Sequence, residues 1–173
     1  MKNFTLPLLY ITLAVATACS VKVRTAHEQK QDFNRYKTYC WLQGCEFTFK
    51  GPQYLQDSLT RSRFQQAIMT TMRKKGFEYN NDTPDLLLGV QVLIETDTAF
   101  VYHRDDQDLI QPFIAPEEKP LLKGTLVIDI IDQKSSVMVW RSVALSYFDL
   151  KPELSEKNIQ KGVAKALKGF PPK

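Results

Sequence analysis

The chain has 173 residues, a net charge of +4 and 43% hydrophobic residues. That composition belongs to an ordinary globular domain and excludes a disordered, collagenous or cysteine-rich class. Its basic residues are scattered, so no nucleic-acid partner is expected, and its length predicts one domain.

The first nineteen residues read as a secretory signal. Lys2 gives a positive start, the run from Phe4 to Ala16 is mostly apolar, and Ala16-Thr17-Ala18 places a small-residue cleavage site directly before Cys19. A cysteine at that place makes the segment look like a bacterial lipoprotein signal. The expected division is a signal peptide at 1–18, a lipid on Cys19, a polar tether over 19–32 and a single domain over 33–173. Two alternatives remain open. Ordinary cleavage after Ala18 would leave Cys19 free. A membrane span would need about 20 apolar residues, more than this run supplies. Ser20, rather than Asp, after the cysteine points to the outer membrane. The expected location is the bacterial cell envelope, with the domain in the periplasm or at the cell surface and the membrane reached through the lipid.

With Cys19 lipidated, Cys40 and Cys45 remain as an even pair in an oxidising compartment. They bracket Trp41-Leu42-Gln43-Gly44 and are a candidate disulfide. A metal site joining them to His27 or His103 is less favoured, because no second Cys or His pair repeats the spacing.

Along the domain, the tether carries a short strand at 21–24. Alternation and aromatic content from Phe33 to Leu42 predict a strand. Leu55, Leu59, Phe64, Ala67, Ile68, Thr71 and Met72 recur at helical spacing and predict a helix over 54–75. Arg73, Lys74 and Lys75 suit its carbonyl end, and Gly76 its cap. After a turn at 80–85, residues 86–95 predict a strand and 99–104 a weaker one. Residues 105–122, with Pro112, Pro116 and Pro120, predict a loop. Residues 124–132 and 137–148 predict a hairpin. A second helix follows Ser155, with Ile159, Val163, Ala166, Leu167 and Phe170 as its apolar stripe and Gly169-Pro171-Pro172 as its stop. This order predicts an α+β, two-layer sandwich: one mainly antiparallel sheet with two helices packed on one face.

Three segments together resemble a known family. They are Tyr36-Lys37-Thr38-Tyr39-Cys40-Trp41; Lys75-Gly76-Phe77 followed by Pro84-Asp85-Leu86-Leu87-Leu88; and Gly124-Thr125-Leu126-Val127-Ile128-Asp129 with Val139-Trp140-Arg141. Their order and spacing are similar to bacterial envelope lipoproteins of domain-of-unknown-function family 4136, from about Phe33 to Pro172. The resemblance implies a lipoprotein signal and an α+β periplasmic domain. It implies no catalytic residues, because the family has no assigned activity. Cys40 and Cys45 are not part of its pattern. Read without the family, Trp140 is core packing, and Asp129 faces solvent or an adjacent strand. Gly124 permits a tight turn or bulge at a strand start.

No GxSxG, HExxH, GxxxxGK[ST] or GxGxxG occurs. His103-Arg104-Asp105 matches a kinase tripeptide in a chain with none of the accompanying kinase motifs. Asp105, Asp106 and Asp108 can be read as a calcium cluster, but they lack EF-hand spacing, and a solvated loop is favoured. No metal and no cofactor are expected. The 105–122 loop is the best candidate site: Leu109, Ile110, Phe113 and Ile114 stand among acids and prolines. It is either a docking segment for a partner or a loop that folds its apolar residues over the sheet edge. The functional expectation is a non-catalytic binding or assembly component whose partner is an envelope protein, glycan or lipid. The alternative is a small periplasmic hydrolase using carboxylates or His103, which would need a pocket gathering ionisable residues.

Overall fold

The computed structural model describes residues 21–42 and 47–172. Cys19, the segment before it and Cys45 lie outside the described residues, and so does the pairing of Cys40 with Cys45. Among the described residues there are seven strands: β1 (Lys22–His27), β2 (Thr38–Trp41), β3 (Thr48–Lys50), β4 (Glu78–Tyr79), β5 (Leu86–Val101), β6 (Glu117–Asp132) and β7 (Met138–Phe148). The helices are α1 (Ser58–Lys74) and α2 (Glu156–Ala166). The strands form one sheet in the order β1-β7-β6-β5-β2-β4, with β3 also on β5. The long pairs β1/β7, β7/β6 and β6/β5 are antiparallel, whereas the short β2 and β3 run parallel to β5. This is the predicted α+β sandwich.

Period-two alternation decides which face is covered. On β5, Leu86, Leu88, Val90, Val92 and Ile94 turn toward the helices and are buried. Ile128 and Ile130 on β6 and Trp140 and Ala144 on β7 stand beside them. The helices answer with Ala67, Ile68 and Met72 on α1 and Ile159, Val163 and Ala166 on α2. Each large apolar side chain so buried contributes roughly 1.5–3 kcal/mol. Beyond α2, the Phe170 ring lies 5.3 Å from Trp140, 5.1 Å from Phe77 and 5.9 Å from Phe33, between centroids. Ser142 Oγ donates to the Ala166 carbonyl at 2.8 Å, and Gln160 Nε2 donates to Thr71 Oγ1 at 3.0 Å. These bonds fix α2 on β7 and on α1. The other face of the sheet carries half-buried Leu87, Leu93, Val127, Val143 and Leu145. Asp129 lies on that face directly across from Arg141, whose Nε and Nη2 donate to its carboxylate at 2.5 and 2.7 Å.

The elements depart from expectation at six places. Phe33–Arg35 is a 3-10 turn capped by Asp32, so the strand expected from Phe33 starts only at Thr38. Phe33 and Tyr36 reach the core from that turn instead of by alternation. Gln53–Leu55 is a separate 3-10 turn, and α1 begins after Asp57, whose carboxylate accepts the Thr60 amide at 2.5 Å. Leu59, in the expected apolar stripe, is therefore 57% exposed. The short strand in the tether extends to His27, paired along its length with β7. The strands expected at 86–95 and 99–104 are one strand, and β6 starts at Glu117, which shortens the 105–122 loop at its far end. Gly124 lies inside β6, not at its start. A Cβ there would come within 2.6 Å of the Phe148 ring, so glycine makes room for a close aromatic approach.

Candidate functional site

β5 and β6 pair continuously from Leu86–Asp132 to Val101–Glu117. Their neighbours stop short: β7 ends opposite Leu122, and β3 ends opposite Leu93. The stretch from Asp97 to Val101, with its partners on β6, is therefore a two-stranded arm. Five residues at a strand rise carry it about 17 Å beyond the sheet. Pro120 lies in this arm, where β6 is an edge strand and a missing N–H is tolerated. Lys119 and Asp149 form a 3.7 Å ion pair between the arm and the chain leaving β7.

Residues 102–116 cap the arm. The Gln111 amide donates to the His103 carbonyl and the Asp105 amide to the Leu109 carbonyl, both at 2.9 Å. Asp105 Oδ1 accepts the Gln107 and Leu109 amides at 2.9 and 3.0 Å, and Arg104 donates to the Asp108 carbonyl at 2.7 Å. The acids read as a calcium alternative thus include one whose carboxylate caps the turn. Leu109, Ile110, Phe113 and Ile114 are all exposed, Phe113 fully so at 105%. They do not fold over the sheet edge. Phe100 and Val101 on the arm and Tyr102 just after it are exposed as well. Phe113 has φ of +66°, a left-handed backbone conformation that a bulky side chain rarely adopts.

A groove of about 450 Å³ lies at the root of the arm, on the helix side, lined by Tyr54, Leu55, Leu150, Lys151 and Pro152. Its two walls arrive from different elements. Tyr54 and Leu55 sit in the 3-10 turn before α1, and Leu150–Pro152 follow β7. The Tyr54 hydroxyl donates to the Leu150 carbonyl at 2.8 Å and joins them. The sequence pattern did not single out this groove, because its residues belong to loops with no periodicity.

A second depression, about 260 Å³, gathers Arg35, Tyr36, Asp85, Asp132 and Lys134. Asp132 is its centre, with a side chain only 3% exposed. It accepts the Tyr36 hydroxyl at 2.5 Å, the Ser135 amide at 2.8 Å and the Arg35 guanidinium. Burial alone would raise its pKa, but these donors outweigh burial and hold it down to about 2. Burial likewise works against Asp85, and hydrogen bonds from the Lys37 and Thr38 amides at 2.7 and 2.9 Å bring it below the usual carboxylate range. Tyr36 is pushed up by burial and by its bond to Asp132. Each group is thus held in its ordinary charge state, which suits a structural latch between the β2 and β6 ends. A general acid or base needs a pKa near the working pH. His103 lies exposed on the arm tip, on another part of the molecule. Cys40 is buried on β2, where burial raises its thiol pKa.

The class these features define is an open-faced α+β sandwich with a projecting β-arm whose tip is apolar. Within that class the chain belongs to the family described as domain of unknown function DUF4136, whose model matches residues 23–172. No curated protein matches it. A PDZ domain protein from Parabacteroides distasonis is similar in fold, with a TM-score of 0.56 and 18% identity over 89% of this chain. The match spans 36% of that protein's chain. A PelC dodecamer from Paraburkholderia phytofirmans is similar at a TM-score of 0.50 and 12% identity, over 86% of this chain and 95% of that one.

Proposed function

We propose that the protein is a lipid-anchored component of the bacterial envelope, held at the outer membrane through Cys19, that binds a partner protein through its arm and catalyses no reaction. The observation that carries this reading is the arm tip: Leu109, Ile110, Phe113 and Ile114 stand exposed at the end of a hydrogen-bonded ribbon, and Phe100, Val101 and Tyr102 are exposed on the strand end that leads to it. Large apolar side chains left exposed together on one short segment mark a candidate interaction site. The signal ending at Cys19 supports the anchor. The locked charge states around Asp132 support a non-catalytic role.

The test is fractionation and crosslinking in intact cells. Replacing residues 102–116 with a two-residue Asn-Gly turn keeps the ribbon closed. The reading predicts that this variant folds, stays with the membrane and loses its crosslinked partner, while Cys19→Ser moves to the soluble fraction. Capture that survives loss of the tip overturns the docking role, and membrane retention of Cys19→Ser overturns the anchor.

A further inference from the structure

The arm and the proposed lipid anchor share one end of the sheet. β1 runs antiparallel to β7, with Lys22 across from Leu145 and His27 across from Trp140. The chain therefore enters β1 from the side on which β7 ends and the arm begins. The root of the arm, where Phe148 faces Leu122, is three strand rises from Lys22, about 10 Å, and the arm runs about 17 Å further. Cys19 stands three residues before Lys22, so a lipid there would hold Lys22 within about 11 Å of the bilayer surface. An arm pointing straight away from the membrane would carry His27 about 17 Å from Lys22 toward the bilayer, more than that lead allows. The lipid thus keeps the arm at the membrane end of the domain.

The tip brought to the membrane in this way is both apolar and acidic. Leu109, Ile110, Phe113 and Ile114 are exposed. Residues 102–118 carry Asp105, Asp106, Asp108, Glu117 and Glu118 against Arg104 alone, a net charge of −4 with His103 neutral. Arg104 is taken up by Asp108 at 3.5 Å, and Lys119, the next base along the chain, by Asp149 at 3.7 Å. A segment that enters a bare bilayer pairs its apolar side chains with Lys and Arg, which anionic lipid attracts. Acids in that place instead suit a protein surface that carries bases around an apolar patch. We infer that the arm tip docks on a membrane-embedded protein, whose surface at the bilayer offers an apolar patch rimmed by Lys and Arg. This rests on the proposed anchor and docking role and names the class of partner. Phe113 and Ile114 seat in the patch, and Asp106, Glu117 and Glu118 meet the rim.

The test places a photo-crosslinking phenylalanine analogue at position 113 of the full chain in intact cells and identifies each adduct by mass spectrometry. The expected adduct is a protein with membrane-spanning segments of its own. Charge reversal by Glu117→Lys with Glu118→Lys, at two exposed positions, is expected to lower its yield at least about threefold by opposing the basic rim. The same reversal would raise contact with anionic lipid, so the two surfaces respond in opposite directions. Circular dichroism checks that the variant is folded. A soluble periplasmic protein as the adduct overturns the membrane-embedded partner and leaves the docking role standing. Phospholipid adducts that increase on charge reversal overturn it in favour of the bare bilayer. A protein adduct whose yield the reversal leaves unchanged overturns the basic rim. The docking role fails separately, if position 113 gives no more adducts than Lys161 on the exposed surface of α2. The anchor fails separately again, if Cys19→Ser stays with the membrane.

Discussion

Phe113 concentrates the trade between stability and binding at a single residue. A left-handed conformation costs a bulky residue about 1–2 kcal/mol, and asparagine tolerates it better. Phe113 recovers nothing by burial, since it is fully exposed. Phe113→Asn is therefore expected to raise stability by up to about 1 kcal/mol in urea unfolding while weakening partner binding. A variant that lost stability would show that Phe113 packs within its own chain. Asp132 behaves in the opposite way. Its folded pKa of about 2 lies below the ordinary 3.8. Its stabilisation is present above the unfolded value and is lost as pH falls through about 2. Asp132→Asn removes charge-assisted bonds to Tyr36 and Arg35, and is expected to cost about 2 kcal/mol at neutral pH. The variant should also lose less stability than wild type between about pH 4 and pH 2, the window in which Asp132 titrates. Parallel pH profiles for the two chains would assign the stabilisation elsewhere.

The elements most readable in the sequence are those with a single unbroken period. Leu86 to Ile94, Gly124 to Asp132 and the stripe from Ile159 to Ala166 follow one face throughout, and these are where expectation and structure agree. The arm was hidden because an edge ribbon exposed on both faces needs no alternation. Thr96 to Ala99 are polar or small, and Pro116 and Pro120 read as breakers although an edge strand tolerates Pro120. The apolar tip is legible as Leu109, Ile110, Phe113 and Ile114, but its place at the end of a paired ribbon required the pairing of β5 with β6. The start of α1 was misplaced for a local reason. Leu55 fits the helical stripe, yet Asp57 is a stronger boundary, because its carboxylate satisfies the Thr60 amide and hydroxyl. Asp57→Ala is accordingly expected to cost about 1 kcal/mol in urea unfolding, with the helix otherwise intact. An unchanged midpoint would mean that packing of Ile68 and Met72 alone sets the register of α1.

At the scale of the molecule, one face of the sheet is closed by helices and one end projects an arm. The closed face supplies the stability: Trp140, Phe170, Ile68, Leu86 and Ile128 are fully buried there. The arm adds little to that core. Its tip residues are exposed, and its ribbon is paired only within itself beyond Leu122 and Leu93 among the described residues. With a lipid on Cys19, β1 would begin within a few residues of the membrane anchor, since Lys22 already pairs with β7. The anchored domain would then sit close to the bilayer, on a short lead.

The most direct measurement places a photo-crosslinking amino acid at position 113 in intact cells, with the same probe at Lys161 on the exposed surface of α2 as the comparison. The account predicts discrete protein adducts from position 113 and none of the same mass from position 161. Equal adducts from both positions, or none from position 113, would contradict a docking role for the arm.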